Sequence, residues 1–331
     1  MAEPSSGQRT PRGLDAAFDE DRRVLFGLLY RLTGSFADAE DLVQSTFERA
    51  LERPPPETDR PWRPWLVRVA MNLGRDHLRR RRRRRYDGPW LPAPMPTPDM
   101  PSAEEESGLD APEPWSTQGR YELMESVSYA FLLALEELTP SQRAVLLLRD
   151  VFDYSGRETA EALELSEPGV RQHLRRARRA MAAYDEATRR PARDRTDERA
   201  GEKDESALSD LLGRFLAAIA RGDVKALESL LAEDVVLRTD AGGEFFAARL
   251  DVRGREKVAR YYVNIAKRSG LPRVTIQRLN GELAIVTELD DPKPGISPRG
   301  VTLATLDEAG RLQRLYSVLA TRKLRGVPPI G

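Results

Sequence analysis

The 331-residue sequence contains no cysteine and only two histidines. Without cysteine the chain cannot form disulfides or thiolate metal sites, and it suits a reducing compartment. Both histidines, His77 and His173, precede residue 181, so the rest of the chain has no imidazole for acid–base or metal chemistry. We therefore expect no cofactor, no metal and no catalytic residue.

Long apolar runs are also missing. No stretch reaches the length of a membrane span, and the first twenty residues are polar rather than built around a signal-peptide core. We therefore expect a cytoplasmic protein with no membrane partner, and a short disordered leader over residues 1–13.

The net charge is zero, so any electrostatic specialisation must be local. Residues 68–85 hold nine arginines against one aspartate, whereas residues 99–125 hold eight acidic residues against one arginine. Such blocks indicate either a nucleic-acid surface with an acidic partner segment or two solvated stretches. In the first case the acidic block, with Glu104–Glu106, could mimic nucleic acid.

The stretch from Trp65 to Arg85 joins an amphipathic helix to seven consecutive arginines. Its apolar stripe consists of Leu66, Val69, Ala70 and Leu73. The opposite face consists of Arg68, Asn72, Asp76 and Arg79. An exposed aromatic residue just ahead, Trp62 or Trp65, could stack on an unpaired base, and the arginines seek phosphate. The pattern favours a nucleic-acid surface, although a solvated polyanion-binding tail would look similar.

A second amphipathic helix precedes this stretch, and Ser35 is its predicted N-cap. Four polar residues lie outside its apolar stripe: Asp38, Glu40, Asp41 and Gln44. They indicate either a docking face for a basic partner or ordinary complementation of the helix dipole.

A helix-turn-helix pattern follows in the middle of the chain. Capping boxes begin helices after Thr139 and Ser155, and Ser166 caps the last helix of the group. On the last helix, five side chains are predicted to point outward: Arg171, Gln172, Arg175, Arg176 and Arg179. Arginine and glutamine can read purine edges in a major groove, although a buried helical hairpin with a solvated face would look alike.

From Ala207 a different domain begins, with helices, a strand, a glycine-rich turn and further strands. Asn280-Gly281 and Asp307–Gly310 predict hairpins, and the whole predicts an α+β domain with helices on a curved antiparallel sheet. Between the first two domains, a tryptophan and a leucine stand among prolines in residues 88–94. Such an extended apolar peptide usually docks in a groove.

Taken together, these motifs resemble the extracytoplasmic-function sigma factors of bacterial RNA polymerase. The likeness rests on DAEDLVQSTFERAL, on WLVRVAMNLGRDHLRR, and on the helix-turn-helix from LTPSQ to ARRAM, which stand in the family's order and look like its regions 2 and 4. The C-terminal domain is similar to SnoaL-like, NTF2-like cone domains.

One group within that family carries such a domain as a fused regulator. The linker WLPAP, the turn Asp240–Gly243 and the segment Arg253–Val258 resemble this group. Two departures stand out: Ala93 replaces an acidic residue, and the final strand reads ATRKL over Ala320–Leu324 where an NPDKL-like ending is expected.

The resemblance implies a multidomain fold: two all-α sigma-factor domains, the second with the helix-turn-helix, followed by an α+β SnoaL/NTF2-like cone. The expected domains are 14–86 for region 2, 87–118 for the proline-rich acidic linker with WLPAP, 119–184 for region 4, 185–205 for a charged linker, and 206–326 for the cone. The implied partners are promoter DNA and core RNA polymerase, through the clamp helices of its largest subunit and its flap.

The resemblance also implies residue roles. Polymerase binding would use Asp38, Glu40, Asp41 and Gln44. Minus-ten DNA would be bound by Trp65, Arg68, Asn72, Arg75, Arg79 and Arg80, with Asn72 holding a flipped base. Minus-thirty-five DNA would meet Arg157, Arg171, Gln172, Arg175 and Arg176. Regulatory contacts would involve Trp90, Leu91, Pro92, Asp240, Gly242 and Gly243.

Two other interpretations stay open. One is a one-component helix-turn-helix regulator with a ligand-binding domain, which would need no polymerase docking. The other is a polyketide-type cyclase or isomerase with a DNA-binding appendage. An unknown small molecule could occupy the cone, whose candidate lining residues are Asp240, Asp251, Tyr261, Tyr262 and Tyr316. Because the cone has no histidine, regulation is favoured over catalysis.

Overall fold

The structure is a computed structural model that describes residues 14–55, 61–84, 86–96, 128–188 and 198–330. The predicted leader (1–13), the acidic linker beyond residue 96 with Glu104–Glu106, and the start of the predicted region 4 domain lie outside the described residues. In this part of the chain, no helix is both long and apolar enough to cross a membrane.

Three helices form the first domain: α1 (Leu14–Thr33), α2 (Phe36–Glu52) and α3 (Arg63–Arg83). The Ser35 hydroxyl accepts a hydrogen bond from the Asp38 amide, which confirms the predicted N-cap of α2. Along α3 the predicted stripe is buried except for the half-buried Val69. Gly74 on α3 lets this helix pack closely against Leu29 and Leu32 of α1.

The second domain is also helical. It contains α4 (Tyr129–Leu135), α5 (Pro140–Leu146), a π-helical turn (Leu147–Val151), α6 (Gly156–Leu163) and α7 (Glu167–Thr188). Both predicted capping boxes are present, at Thr139 with Gln142 and at Ser155 with Glu158. Glu164 ends α6 in the left-handed conformation (φ 54°), and the short turn after it sets α6 and α7 as a helix-turn-helix.

The third domain begins with α8 (Glu198–Arg221) and α9 (Val224–Leu230). The predicted charged linker 185–205 is therefore partly helical, because α7 extends to Thr188 and α8 begins at Glu198; residues 189–197 lie outside the described part. The remaining elements are β1 (Leu231–Asp240), β2 (Val252–Arg253), α10 (Arg255–Ser269), β3 (Arg273–Leu279), β4 (Glu282–Glu288), β5 (Arg299–Leu306) and β6 (Leu312–Val318).

The strand order in the sheet is β2-β1-β6-β5-β4-β3. Neighbouring strands are antiparallel, as predicted, except for β1 and β6, which run parallel. Both predicted hairpins are present, and Asn280 and Gly281 both have positive φ as a tight turn requires. The expected final strand is instead a 3₁₀ helix, Thr321–Leu324.

The domains pack against one another. One continuous core runs through both helical domains, from Leu25 in α1 to Ala177 in α7. A separate cluster joins Leu91 of the linker and Tyr129 of α4 to the apolar side of β3–β6, and it also includes Leu324 and Val327. This second cluster holds the cone against the helical domains.

Candidate nucleic-acid and polymerase interfaces

The polar face of α3 lies against the C-terminal end of α6. The contacts run from Asn72 Nδ2 to the Ala162 carbonyl (3.4 Å), from Arg75 Nη1 to the Leu163 carbonyl (2.5 Å), and from Arg68 Nη2 to the Glu164 carboxylate (3.1 Å). Carbonyls in the last turn of a helix lack intrahelical partners, so they are ready acceptors. Three side chains predicted to bind DNA therefore donate to the helix-turn-helix domain instead.

Two expectations for this face are corrected by burial. Arg75 was predicted on strand phosphates, but it is only 8 % exposed and its guanidinium bonds to Leu163. Trp62 was considered as an exposed stacking platform, yet it is 5 % exposed in the core. Trp65, the other candidate, is half-buried and lines an open cleft.

That cleft has a volume of about 470 Å³ and lies where α3 meets α2 and the helix-turn-helix. It brings together Trp65, Arg68, Asn72, Arg75 and Arg79, all predicted to contact DNA. Arg49 of α2 and Glu164 also line it, and neither was singled out in the sequence. No local pattern marks them, because their place in the cleft depends on how the helices pack.

The arginine run is divided between solvent and structure. Arg79 pairs with Asp76 (2.8 Å), and the exposed Arg80 donates to the Asp76 carbonyl. Arg81, however, is 16 % exposed in its side chain and donates to the Thr33 carbonyl and to Glu136. Arg81 is therefore not a solvated, phosphate-seeking member of the run, because its side chain joins α3 to the second domain.

Glu136 is the acceptor on the other side of that junction. It binds Arg81 at 2.6 Å and Arg143 at 2.9 Å. Burial raises the pKa of Glu136, but Arg143 and Arg81 outweigh it and lower that pKa to about 2. The carboxylate is therefore charged at neutral pH and links the two helical domains.

The outer face of α7 is open to solvent. The predicted minus-thirty-five residues are all exposed: Arg157, Arg171, Gln172, Arg175 and Arg176. Arg157 pairs with Glu161 on the same helix (3.1 Å), and Arg171 lies 3.9 Å from Glu167. Such exposed pairs are weak and leave both guanidinium groups available.

The acidic group on α2 is partly covered. Asp38 was predicted to lie on the outside, but it is 8 % exposed, because His77 (3.4 Å) and Arg322 (2.9 Å) lie against its carboxylate. Asp41 is exposed and also binds Arg322, at 2.6 Å. Burial raises the pKa of Asp38, whereas His77, Ser35 and Arg322 lower it, to about 2 overall.

The other two members of this group point to solvent to different degrees. Glu40 is half-buried, and Gln44 is exposed and donates to Glu48 (2.9 Å). The four residues thus share one end of α2, with Asp38 beneath and the others around it.

The segment 86–96 runs as an extended strap between all three domains, and residues 91–96 are buried. Towards the first domain, the Ala93 amide donates to the Gly34 carbonyl (2.8 Å), and Tyr30 Oη donates to the Ala93 carbonyl (2.8 Å). Towards the second domain, Tyr129 Oη donates to the Pro92 carbonyl (3.0 Å). Towards the cone, the Met95 amide donates to Asn280 Oδ1, and the Asn280 backbone amide donates to the Met95 carbonyl. The proline-rich peptide therefore docks in a groove, as its sequence predicts. Ala93, which stands where an acidic residue is expected, is completely buried.

Asp240, at the end of β1, is the polar centre of this docking. It is fully buried and accepts hydrogen bonds from Tyr86 Oη, the Leu91 amide (2.7 Å), the Gly242 amide (3.1 Å) and Lys323 Nζ (2.5 Å). Gly242 and Gly243 have positive φ, and a Cβ on Gly243 would lie 3.2 Å from Asp87. The predicted regulatory residues thus meet around one carboxylate.

Lys323 is the functional candidate that the sequence reasoning did not select. Its ammonium group also donates to the Leu91 carbonyl (2.5 Å) and lies 3.0 Å from the Trp90 ring centroid. Burial lowers the pKa of Lys323 to about 8, although Asp240 opposes that shift. One feature of the sequence could have identified Lys323: its ATRKL ending keeps the Lys-Leu pair of the NPDKL-like ending that the family resemblance leads one to expect.

Inside the cone, polar side chains bond to each other. Thr302 and Ser317 lie 2.9 Å apart, and Tyr262 Oη lies 3.5 Å from Ser317. Asp251 pairs with Arg238 through both oxygens. Asp240 was predicted as a lining residue of the cone, but it faces the strap instead. Within the described residues, no group of three His, Cys, Asp or Glu side chains could hold a metal ion.

Comparison with known proteins agrees with this architecture. Family models match the sigma-70 region 2 at residues 17–84, the sigma-70 region 4 at 128–181, and a SnoaL-like domain at 212–314. The ECF RNA polymerase sigma factor SigJ of Mycobacterium tuberculosis is 34 % identical, over 94 % of this chain and 93 % of the relative. The ECF sigma factor SigG of the same species is 36 % identical over 65 % of this chain and 58 % of its own length.

A solved structure extends the likeness to three dimensions. The crystal structure of the Mycobacterium tuberculosis SigJ aligns with a TM-score of 0.62 at 30 % identity, covering 95 % of this chain and 99 % of that one. Helical regions 2 and 4 therefore precede an α+β SnoaL-like domain in both proteins. The chain belongs to the extracytoplasmic-function RNA polymerase sigma factors, in the form that carries a C-terminal SnoaL-like domain.

Proposed function

We propose that this protein binds core RNA polymerase and directs it to specific promoters, and that its cone domain regulates that activity in place of a separate anti-sigma protein. The observation that carries the proposal is the placement of the predicted DNA-binding residues around one cleft on α3, where the end of α6 accepts hydrogen bonds from Asn72 and Arg75. A basic, amide-bearing surface that is partly occupied by another domain of the same chain is what we expect of a factor whose DNA binding is regulated.

On the DNA side, Asn72 reads a base flipped out of the minus-ten element, because an amide can both donate to and accept from a base edge. Trp65 stacks beside it, and Arg68, Arg79 and Arg80 hold the strand phosphates. Arg75 joins them only after it leaves Leu163. The exposed face of α7, with Arg171 and Gln172 at its centre, enters the major groove of the minus-thirty-five element.

On the polymerase side, the acidic end of α2 docks on the clamp helices of the largest subunit. Asp41 and Gln44 are exposed at this end, and Glu40 is half-exposed. Asp38 lies beneath them. The second helical domain would meet the flap, which is the contact that the family resemblance implies.

The closed arrangement of the helical domains opposes promoter binding. As long as the end of α6 accepts hydrogen bonds from Asn72 and Arg75, these donors are not available to DNA. The strap holds this arrangement, because it bonds to α1, α4 and the cone at once. Promoter binding therefore requires that α6 move away from α3.

Catalysis and one-component regulation are less well supported. Tyr262, Thr302 and Ser317 inside the cone bond to each other, which favours packing over turnover. A one-component regulator has no use for an acidic docking face or for a reader of single strands. The relatives are sigma factors, which act through the polymerase rather than as enzymes.

In vitro transcription with core polymerase tests the proposal. The assay compares the full-length protein, a truncation after Asp204 and the full-length Asn72→Ala variant on a promoter selected from the protein's own genome. We expect promoter-specific initiation that the truncation alters and that Asn72→Ala abolishes, with polymerase binding retained. DNA binding without any initiation would instead favour the one-component regulator.

A further inference from the structure

The C-terminal 3₁₀ helix places a basic residue on the acidic end of α2. We propose that Arg322 is an intramolecular competitor of the polymerase, and that its guanidinium occupies the docking carboxylates until core polymerase displaces it. This inference rests on the proposed docking role of α2. It adds a second point of control, separate from the cover over the DNA-binding cleft.

The geometry joins one guanidinium nitrogen to two carboxylates. Arg322 Nη2 donates to Asp38 Oδ1 at 2.9 Å and to Asp41 Oδ2 at 2.6 Å. The Arg322 side chain is 55 % exposed and that of Asp41 is 59 % exposed, so water and salt reach the pair. Exposed ion pairs of this kind are weak enough for a partner protein to replace.

Arg322 reaches α2 because the residues on both sides of it are anchored. Lys323 is buried against Asp240 and Leu91, and Leu324 belongs to the cluster beneath the strap. Farther on, Gly326 lies against Phe36 in the first turn of α2, where a Cβ would come within 2.8 Å of the ring. The tail is therefore fitted to the start of α2, and Arg322 is presented to the carboxylates rather than reaching them by chance.

The chemistry makes the two partners mutually exclusive. An acidic docking face attracts a basic surface of the polymerase, and Arg322 offers the same kind of group from within the chain. The Asp38 carboxylate already contacts both His77 and Arg322, so it has little room for a further cation. An NPDKL-like ending would place an aspartate at position 322, where it would repel the two carboxylates. The ion pairs with Asp38 and Asp41 therefore depend on the arginine that this chain has in its place.

The test measures the affinity of full-length protein for core polymerase without DNA. Removing the charge with Arg322→Gln should tighten binding about two- to tenfold at low salt, the range expected for the loss of exposed ion pairs. The gain should shrink as salt is added, because salt screens the wild-type contact. Arg322→Lys, which keeps the charge, should stay close to the wild type.

The matched control is Arg325→Gln, three residues farther along the same tail. It removes the same charge from an exposed position and should leave the affinity unchanged. A second variant, Gly326→Val, moves the tail from Phe36 without altering any charge and should tighten binding in the same direction as Arg322→Gln.

The outcomes separate this inference from the proposed function. If Arg322→Gln and Gly326→Val bind core polymerase as the wild type does, or if Arg325→Gln tightens binding equally, competition by Arg322 is overturned while the sigma-factor role stands. If no variant and no truncation binds core polymerase, the proposed function itself fails.

Discussion

At the scale of single residues, Asp240 shows how one buried charge depends on another. Its carboxylate is fully buried, and so is the Lys323 ammonium group that it binds. Replacing Asp240 by Asn would leave that ammonium group without its counter-charge. We expect Asp240→Asn to lower the free energy of unfolding of the cone and strap by about 3–5 kcal/mol, measured by chemical denaturation.

The control for this prediction is Asp290→Asn. Asp290 pairs with Arg273 at 3.1 Å, but its side chain is 74 % exposed. The loss should stay below about 1 kcal/mol. Equal losses in the two variants would contradict the importance of burial at Asp240.

A second residue-scale prediction concerns DNA recognition by α7. Arg171 is exposed, and its ion pair with Glu167 is loose, at 3.9 Å. We expect Arg171→Ala to weaken recognition of the upstream promoter element by about 1–3 kcal/mol, because a bidentate contact to a base edge would be lost. The measurement is binding by the polymerase holoenzyme to cognate and scrambled promoters.

Arg83→Ala at the end of α3 provides the comparison. Arg83 is exposed within the arginine run, where we expect contacts to phosphate rather than to bases. The substitution should therefore weaken binding to both promoters alike and reduce the salt dependence. If Arg171→Ala also affects both promoters equally, its assigned role is wrong.

At the scale of elements, the crossing of α1 and α3 depends on Gly74. A Cβ there would lie 2.4 Å from Leu32 Cδ2 and 3.2 Å from Leu29 Cδ2. We expect Gly74→Ala to destabilise the first domain by about 1–3 kcal/mol, since overpacking outweighs the better helix propensity of alanine. Thermal or chemical unfolding measures the effect.

Gly213 on α8 offers the opposite case. It is exposed, and a Cβ there meets no atom within 4 Å. Gly213→Ala should therefore stabilise its helix by up to about 1 kcal/mol. Destabilisation by both substitutions would indicate that close helix packing is not the cause at Gly74.

The elements themselves could largely be predicted from the sequence, because their signals are local. Thr139 with Gln142, Ser155 with Glu158, and Asn280 with Gly281 each carry the residues that their cap or turn requires within four positions. The parallel pairing of β1 with β6 could not be predicted, since it joins strands that are far apart in the chain.

The candidate sites were predicted less completely. The residue types on α2, α3 and α7 were found, but the burial of Asp38 and Arg75 was not. The cause lies in distant contacts: Arg322 covers Asp38, and the Leu163 carbonyl covers Arg75. Amphipathic spacing assigns a residue to a face of its own helix, and it does not reveal what another domain places there.

At the scale of the whole molecule, Glu136 makes the union of the two helical domains sensitive to acid. Its folded pKa of about 2 lies below the ordinary value of 4.5, so the unfolded chain binds more protons between these pH values. The stabilisation is complete above about pH 4.5 and is lost as the pH falls towards 2. It amounts to at most about 3 kcal/mol.

We therefore expect acid to weaken the contact between α3 and α4, as followed by hydrogen exchange or by the free energy of unfolding against pH. Glu136→Gln should be less stable at neutral pH and should lose part of this acid dependence. An unchanged pH profile in Glu136→Gln would show that other carboxylates control the transition.

The strap has one more consequence, which concerns stoichiometry. Because residues 86–96 lie in the same chain as the helical domains and the cone, the proposed regulation would give every molecule of the factor its own regulator at a fixed effective concentration. Dilution, changes in expression or unequal degradation cannot separate the two, as they can for a regulator encoded on its own. On this proposal, activation comes from an event on the chain itself or from the binding of free polymerase, and the ratio of regulator to factor stays one to one however much of the protein the cell makes.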